Sequence, residues 1–268
     1  MRALLSLLLL LALPLHAEPL PRPDHVLIVV EENRGFKQIM SPQHADSWLH
    51  GLVKRGALLT RSHGVTHPSQ PNYLALFSGT THGISSNDCQ PKLSGDNLAS
   101  SLQQKGATFL SYAEGLPKAG DTVCAVGPYQ RKHNPVSNWP ELAALNLPFS
   151  QFPQDFSQLP TVALVVPDQD HDMHDGSFTE ADNWLKRHIG PYVEWAFKHN
   201  SLLILTWDED DYRQGNHIVT LLVGPMVKPG QSDQIVNHYH ILRTVLDFYG
   251  ATPVGASRDA TSLQGIWR

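Results

Sequence analysis

Apolar residues fall in short, dense runs along this chain, and polar clusters stand where the runs stop. Residues 25–30, 161–166 and 201–207 are apolar and β-branched almost throughout, with no alternation between faces. That pattern predicts strands buried on both sides. Residues 218–223 form a fourth such run, and 57–62 and 108–112 predict two more strands. Helical spacing appears between them. Over 44–55, Trp48, Leu49, Leu52 and Val53 share a face, and Gly56 closes the helix. Pro71, favoured at a first helical position, predicts a helix over 71–78 closed by Gly79. Residues 96–105 predict a helix stopped by Gly106, and Ser177 with Glu180 makes a capping box for a helix carrying Trp184 and Leu185. Pro191 starts another helical run to His199, and the last helix spans about 238–249 before Gly250. Strands alternating with helices, with no internal repeat, predict one α/β domain over 18–268 with a mainly parallel sheet. Residues 114–160 are rich in Pro, Asn, Gln and aromatics but lack periodicity. They predict an excursion over the core, with a lid or substrate wall as one reading.

Three of the buried-type strands end in acidic or imidazole clusters: Glu31-Glu32-Asn33, the stretch from Asp168 to Gly176, and Asp208-Glu209-Asp210-Asp211. In open parallel sheets ligands bind at the carboxyl edge of the strands. Carboxylates converging there repel one another unless a cation neutralises them, so a divalent metal is the economical reading. Solvated loop tips are the alternative. Ser69 precedes the helix that follows the second strand. At such a mouth unpaired backbone N–H groups suit an anion such as phosphate. A plain helix cap explains Ser69 equally well at this point.

Composition narrows the class. The 268 residues are 41% hydrophobic and 17% charged with a net charge of −5, so no basic excess points to nucleic acid. Residues 1–17 combine Arg2, an apolar core from Leu4 to Leu13, and a small residue at Ala17. The core is short for a membrane span, which predicts an export signal, a mature chain outside the cytoplasm and no stable membrane insertion. In an oxidising compartment Cys89 and Cys124 are a disulfide candidate, two buried thiols being the alternative.

The wording of these clusters resembles the bacterial phosphoesterase family of acid phosphatases and phospholipases C, within the alkaline phosphatase superfamily. The carriers are Val30-Glu31-Glu32-Asn33, His67-Pro68-Ser69-Gln70-Pro71-Asn72-Tyr73, Asp172-Met173-His174-Asp175-Gly176, and Trp207-Asp208-Glu209 followed by Asn216-His217. The resemblance implies an alkaline-phosphatase-like three-layer sandwich and a metal-activated serine that becomes phosphorylated. Carried over, Ser69 is the nucleophile, with Gln70 beside it in the motif. Glu32, Asp208 and Glu209 hold a metal together with Ser69, and Asn33 lies beside them. Asp172, His174 and His217 form the remainder of a two-metal centre, binding a second ion or clamping phosphate and protonating the leaving group. Asp168 and Asp170 are substitute ligands. His82-Gly83-Ile84-Ser85-Ser86-Asn87 resembles a tripeptide and asparagine of nucleotide pyrophosphatases, making Asn87 a phosphate ligand, or else an ordinary loop residue. Two-zinc relatives have Asp-His where this chain has Asp208-Glu209, and the extra carboxylate favours Mg, Mn or Ca over Zn. One or two divalent ions are implied, with a small phosphorylated substrate or a phospholipid head group. The leading activity is hydrolysis of phosphate monoesters; a phospholipase C-type phosphodiesterase or a non-catalytic phosphate binder are the alternatives. His63, His67 and His82, near the nucleophile, are read as catalytic or, as is commoner, packed or solvated; Trp184 and Trp195 are core, and Asp210 and Asp211 are solvated neighbours rather than ligands.

Overall fold

The computed structural model describes residues 19–89 and 92–268, so the expected export signal at 1–17 lies outside the described residues. The strands in chain order are β1 (His25–Glu31), β2 (Ala57–His63), β3 (Phe109–Ala113), β4 (Ala125–Val126), β5 (Tyr129–Gln130), β6 (Asn146–Pro148), β7 (Val162–Val166), β8 (Ser201–Trp207), β9 (His217–Val223) and β10 (Gly230–Asn237). The α-helices are α1 (Phe36–Ile39), α2 (Trp48–Val53), α3 (Ser69–Ser78), α4 (Leu98–Gln103), α5 (Phe178–His188), α6 (Gly190–Ala196) and α7 (His238–Phe248). Eight strands form one sheet in the order β10-β2-β9-β8-β1-β7-β3-β6, and β4 and β5 pair separately. Only β9 runs against the rest of the large sheet.

The sheet has a core on each face, and β1 shows why. Val26, Ile28 and Val30 enter one core, shared with α3, α4 and α7. Leu27 and Val29 enter the other, shared with α2, α5 and α6. A strand covered twice has no polar face, hence the unbroken apolar runs. The architecture is the expected three-layer α/β sandwich with a mostly parallel sheet.

Two strands escape the apolar pattern. β10 reads Gly-Gln-Ser-Asp-Gln-Ile-Val-Asn and fully buries only Val236, because it is an edge strand that leaves Gly230, Gln231, Asp233 and Ile235 exposed. β6 is three residues long and lies at the opposite edge, inside the aperiodic excursion. The predicted helix over 44–55 is shorter, a 3-10 turn at Pro42–His44 followed by α2, whose Ser47 side chain accepts from His50 N–H. The Ser177–Glu180 capping box forms as expected at the start of α5.

α3 is wholly buried along its ten residues, and it ends at Gly79. There φ is +71°, and a Cβ would stand 2.1 Å from the Val254 carbonyl oxygen, so only glycine closes this helix without moving the chain. Cys89 and Cys124 form a disulfide with their Cα atoms 5.4 Å apart. It ties the loop after α3 to the excursion, where Arg131 N–H donates to the Cys124 carbonyl at 2.9 Å.

Candidate active site

Parallel strands bring their carboxyl ends to one edge, and the three acidic clusters follow β1, β7 and β8 there. α3 begins at Ser69, two residues before the predicted start, so Ser69 occupies the first turn rather than the cap, which is Pro68. The cap reading of Ser69 is thereby set aside. Its Oγ is buried and donates to Glu32 Oε2 at 3.0 Å and to Glu209 Oε1 at 3.2 Å. A hydroxyl has one proton to give, so these carboxylates compete for it. Three backbone donors nearby are already taken. Asn87 Oδ1 accepts from Gln70 N–H at 3.0 Å, and Asn72 Oδ1 accepts from Val65 and Thr66 N–H. Gly64 lets this loop approach the next one: a Cβ there would meet the Asp208 carbonyl and the Asn216 amide at 2.7 Å.

Glu209 accepts from Ser69, from Asn72 Nδ2 at 3.2 Å, and pairs with His67 Nδ1 at 2.8 Å. Burial, then the charge of Glu32, push its pKa up to about 8, while the Ser69 bond and the charge of Lys132 pull the other way. Asp208, also buried, takes Asn33 N–H on Oδ1 at 3.2 Å. Burial first, and then Glu32 and Glu209, raise its pKa well above the carboxylate range.

A second group lies beside the first, joined to it by a residue the sequence did not single out. His133, buried in the 3-10 turn Arg131–His133, has Nε2 3.0 Å from Glu32 Oε1 and Nδ1 3.2 Å from Asp172 Oδ2. Burial lowers its pKa to about 4, against the attraction of Glu32. Although close, these atoms lack the angles of hydrogen bonds. Glu32 Oε1, Asp172 Oδ2, Asp208 Oδ2 and both His133 nitrogens are buried without a hydrogen-bond partner among the described residues. Asp172 is raised to about 8 by burial, despite accepting from His174 N–H at 2.8 Å. The one flag for His133 in the sequence is the basic triplet Arg131-Lys132-His133 within an otherwise mixed excursion.

Other expected residues divide. His174 stands near His133, ring centroids 5.8 Å apart, with Nδ1 2.7 Å from Asp175 and Nε2 3.3 Å from Lys132 Nζ. His217 is not joined to Asp172 or His174 by any contact among the described residues. It bonds the Thr60 carbonyl at 2.9 Å and stacks between Phe36 and His63. His63 itself pairs with it across β2 and β9. Asp210 is a correction: far from solvated, it is fully buried and accepts the N–H groups of Tyr212, Gln214 and Asn216 at 2.7–3.0 Å. It folds the loop that Asp208 and Glu209 begin.

Ligand atoms of three residues within 4.8 Å of one another occur at Glu114, Asp168 and His171, a group that could hold a metal. Asp168 and His171 belong to the cluster read from the sequence, and Glu114 does not. Its members are already paired: His171 Nδ1 lies 3.1 Å from Glu114 and 2.9 Å from Asp168, and Glu114 also accepts from Trp184 Nε1 and Asp168 N–H. Around Ser69 the reverse holds, with buried acceptors lacking donors. Acceptors of that kind are costly unless a cation or protons satisfy them, so the donor set around Glu32, Asp208 and Asp172 fits a hard divalent ion.

Known proteins resemble this chain over most of its length. The phosphoesterase family model matches residues 42–252. The chain is 44% identical to the phosphatidylinositol-3-phosphatase of Mycobacterium tuberculosis, over 94% of this chain and 86% of that protein. It is 30% identical to an acid phosphatase of Aspergillus fumigatus, over 79% of this chain but 52% of that longer protein. Among solved structures, an alkaline phosphatase superfamily protein from Vibrio parahaemolyticus shares the fold at 14% identity and TM-score 0.57, covering 90% of this chain and 71% of that one. The chain belongs to the phosphoesterase family and is a hydrolase of phosphate esters.

Proposed function

We propose that the chain is a metal-dependent phosphomonoesterase, exported from the cytoplasm, that works through a phosphoserine at Ser69. The observation that carries this reading is the Ser69 hydroxyl held between Glu32 and Glu209 at the first turn of a buried helix. Ser69 Oγ attacks phosphorus and its proton passes to a carboxylate it already touches; the bond from phosphorus to the ester oxygen breaks, and that oxygen takes a proton from water and leaves as the alcohol. Water then hydrolyses the phosphoserine and frees inorganic phosphate. Glu32, Asp208, Glu209 and, on the second side, Asp172 with His133 are the residues that would hold metal. A divalent cation there supplies positive charge that favours an ionised serine and offsets the charge on phosphate. Asn33 places its N–H on Asp208, and Asn87 fixes the first turn of α3. His217 is given no step.

The names of the relatives, a phosphoinositide phosphatase and an acid phosphatase, support monoesters over diesters. A phosphorylated lipid head group is the second reading, because the 44% identical relative is named for one. Among the described residues no helix is long and apolar enough to cross a membrane. Export is supported by the pattern at 1–17 and by the disulfide. Purified protein should hydrolyse a chromogenic phosphomonoester, and a soluble phosphoinositide beside it separates the two substrate readings. Ser69→Ala should remove at least a thousandfold of kcat, and exhaustive chelation should silence the parent until Mg, Mn or Ca is restored. Full activity in Ser69→Ala sinks the nucleophile; activity indifferent to chelation sinks the metal.

A further inference from the structure

We infer that Lys132 is the protein's own cationic ligand for the phosphoryl group, held in place by His174 acting as a positioning residue; this rests on the phosphoesterase reading of the Ser69 site. Lys132 is half-buried and immediately precedes His133, whose ring lies against both Glu32 and Asp172. Its charge reaches Glu209 on one side of the site and Asp172 on the other. Yet no carboxylate oxygen lies within 4.0 Å of its ammonium among the described residues. The polar contact it makes is Nζ to His174 Nε2 at 3.3 Å.

An ammonium only donates, so His174 Nε2 must be the acceptor. The proton of the neutral ring then sits on Nδ1, between Asp175 Oδ1 at 2.7 Å and the Gln169 side-chain amide at 2.9 Å, whose oxygen, with the amide turned over, accepts there as well. Asp175 and Gln169 thus hold the His174 ring, and His174 holds one ammonium, with donors to spare, on the side of the site where His133 lies. A flexible lysine is costly to order and to desolvate, and lysines in ordinary packing meet a carboxylate or extend into water. This one does neither fully, in a site lined by Glu32, Asp172, Asp208 and Glu209, whose charge repels a phosphate dianion. Lys132 supplies positive charge on the side of the site where His133 and Asp172 lie, which a phosphoryl oxygen requires to settle there.

The experiment is inhibition and binding by inorganic phosphate, with kcat and KM for a chromogenic phosphomonoester, in the parent, Lys132→Met and Lys132→Arg. All three are supplied with the same divalent cation. Loss of one charge-assisted hydrogen bond predicts a rise in the phosphate Ki and in KM of about 10- to 100-fold for Lys132→Met. Lys132→Arg keeps the charge and should recover most of the phosphate affinity. His174→Ala, which frees the lysine without removing its charge, should weaken phosphate by a smaller factor. Calorimetric phosphate binding to Ser69→Ala and to Ser69→Ala with Lys132→Met repeats the comparison without turnover. Phosphate affinity in Lys132→Met within twofold of the parent overturns the assignment. So does an equal loss in Lys132→Arg and Lys132→Met, since that marks a packing role. A parent inactive on every phosphoester defeats the phosphoesterase mechanism instead, and the calorimetric comparison still judges Lys132.

Discussion

Asp210 is the sharpest test of how the site is built, because its carboxylate meets three backbone N–H groups and leaves the loop 208–216 few other internal ties. Oδ1 accepts from Tyr212 at 2.8 Å, and Oδ2 accepts from Gln214 at 2.7 Å and Asn216 at 3.0 Å. Asp210→Ala removes all three bonds. Hydrogen bonds to a charged group are worth about 1.5–3 kcal/mol each, but of the three donor residues Tyr212 is exposed and Gln214 and Asn216 are half-buried, so water can reach part of the freed donors. Discounting for that gives about 1 kcal/mol per bond and about 3 kcal/mol in all. For a domain of this size that corresponds to a fall in Tm of about 6–12 °C. Asp210→Asn retains one oxygen, which can keep the Gln214 and Asn216 pair, while its amide faces the Tyr212 N–H donor to donor. It should cost about half as much as alanine. Urea unfolding monitored by tryptophan fluorescence gives both differences, with activity measured alongside because Asp208 and Glu209 open the same loop. If Asp210→Ala unfolds within about 0.5 kcal/mol of the parent, or asparagine costs as much as alanine, the carboxylate does not organise the loop in this way.

Two further predictions concern conditions and covalent ties. Glu209 and Asp172, each raised to about 8 by burial, bind protons in the folded cation-free protein that the unfolded chain releases near pH 4. Protons bound only by the folded state make stability fall as pH rises toward about 8, whereas His133 and His238, lowered to about 4 by burial, oppose this below about pH 6.5, so chelated protein should melt lower at pH 8 than at pH 6.5, and added divalent cation should flatten the slope. A chelated Tm that rises over that interval contradicts the assignment. Cys89→Ser with Cys124→Ser opens a loop with a sequence separation of 35, for which chain entropy allows a loss of up to about 4 kcal/mol. Because the bridge tethers the segment that carries Lys132 and His133, the double variant should also lose activity at temperatures where it remains folded; unchanged kinetics there would show that the tether does not position the site.

How much of this was readable in advance depended on whether the cause was local. The strands at 25–31, 162–166 and 201–207 were legible because burial on two faces removes polar residues from consecutive positions. α5 and α7 were legible because one buried face repeats every turn. β10 was not, since an edge strand buries almost nothing. The convergence of Glu32, Ser69, Asp208 and Glu209 followed from parallel topology together with motif wording, and the contacts of Ser69 agree with it. The same reasoning misplaced Asp210, because a run of four acidic residues reads as solvated when nothing shows that one turns inward to hold backbone donors.

His133 and Lys132 mark the limit. They sit in a segment with no periodicity, on a 3-10 turn that no propensity announces, and they meet partners 39 or more residues away in the chain: Glu32, Asp172 and His174. Amino-acid order dictated the layers, the site's edge and its acidic character, because these arise from how often apolar and charged residues recur over a few turns. Which histidine bridges the two carboxylates, which lysine meets His174, and whether Ser69 caps its helix or donates to Glu32 and Glu209 were settled by packing. Those contacts join chain segments whose separation leaves no periodic trace, and they exist only once the sheet has placed both ends side by side.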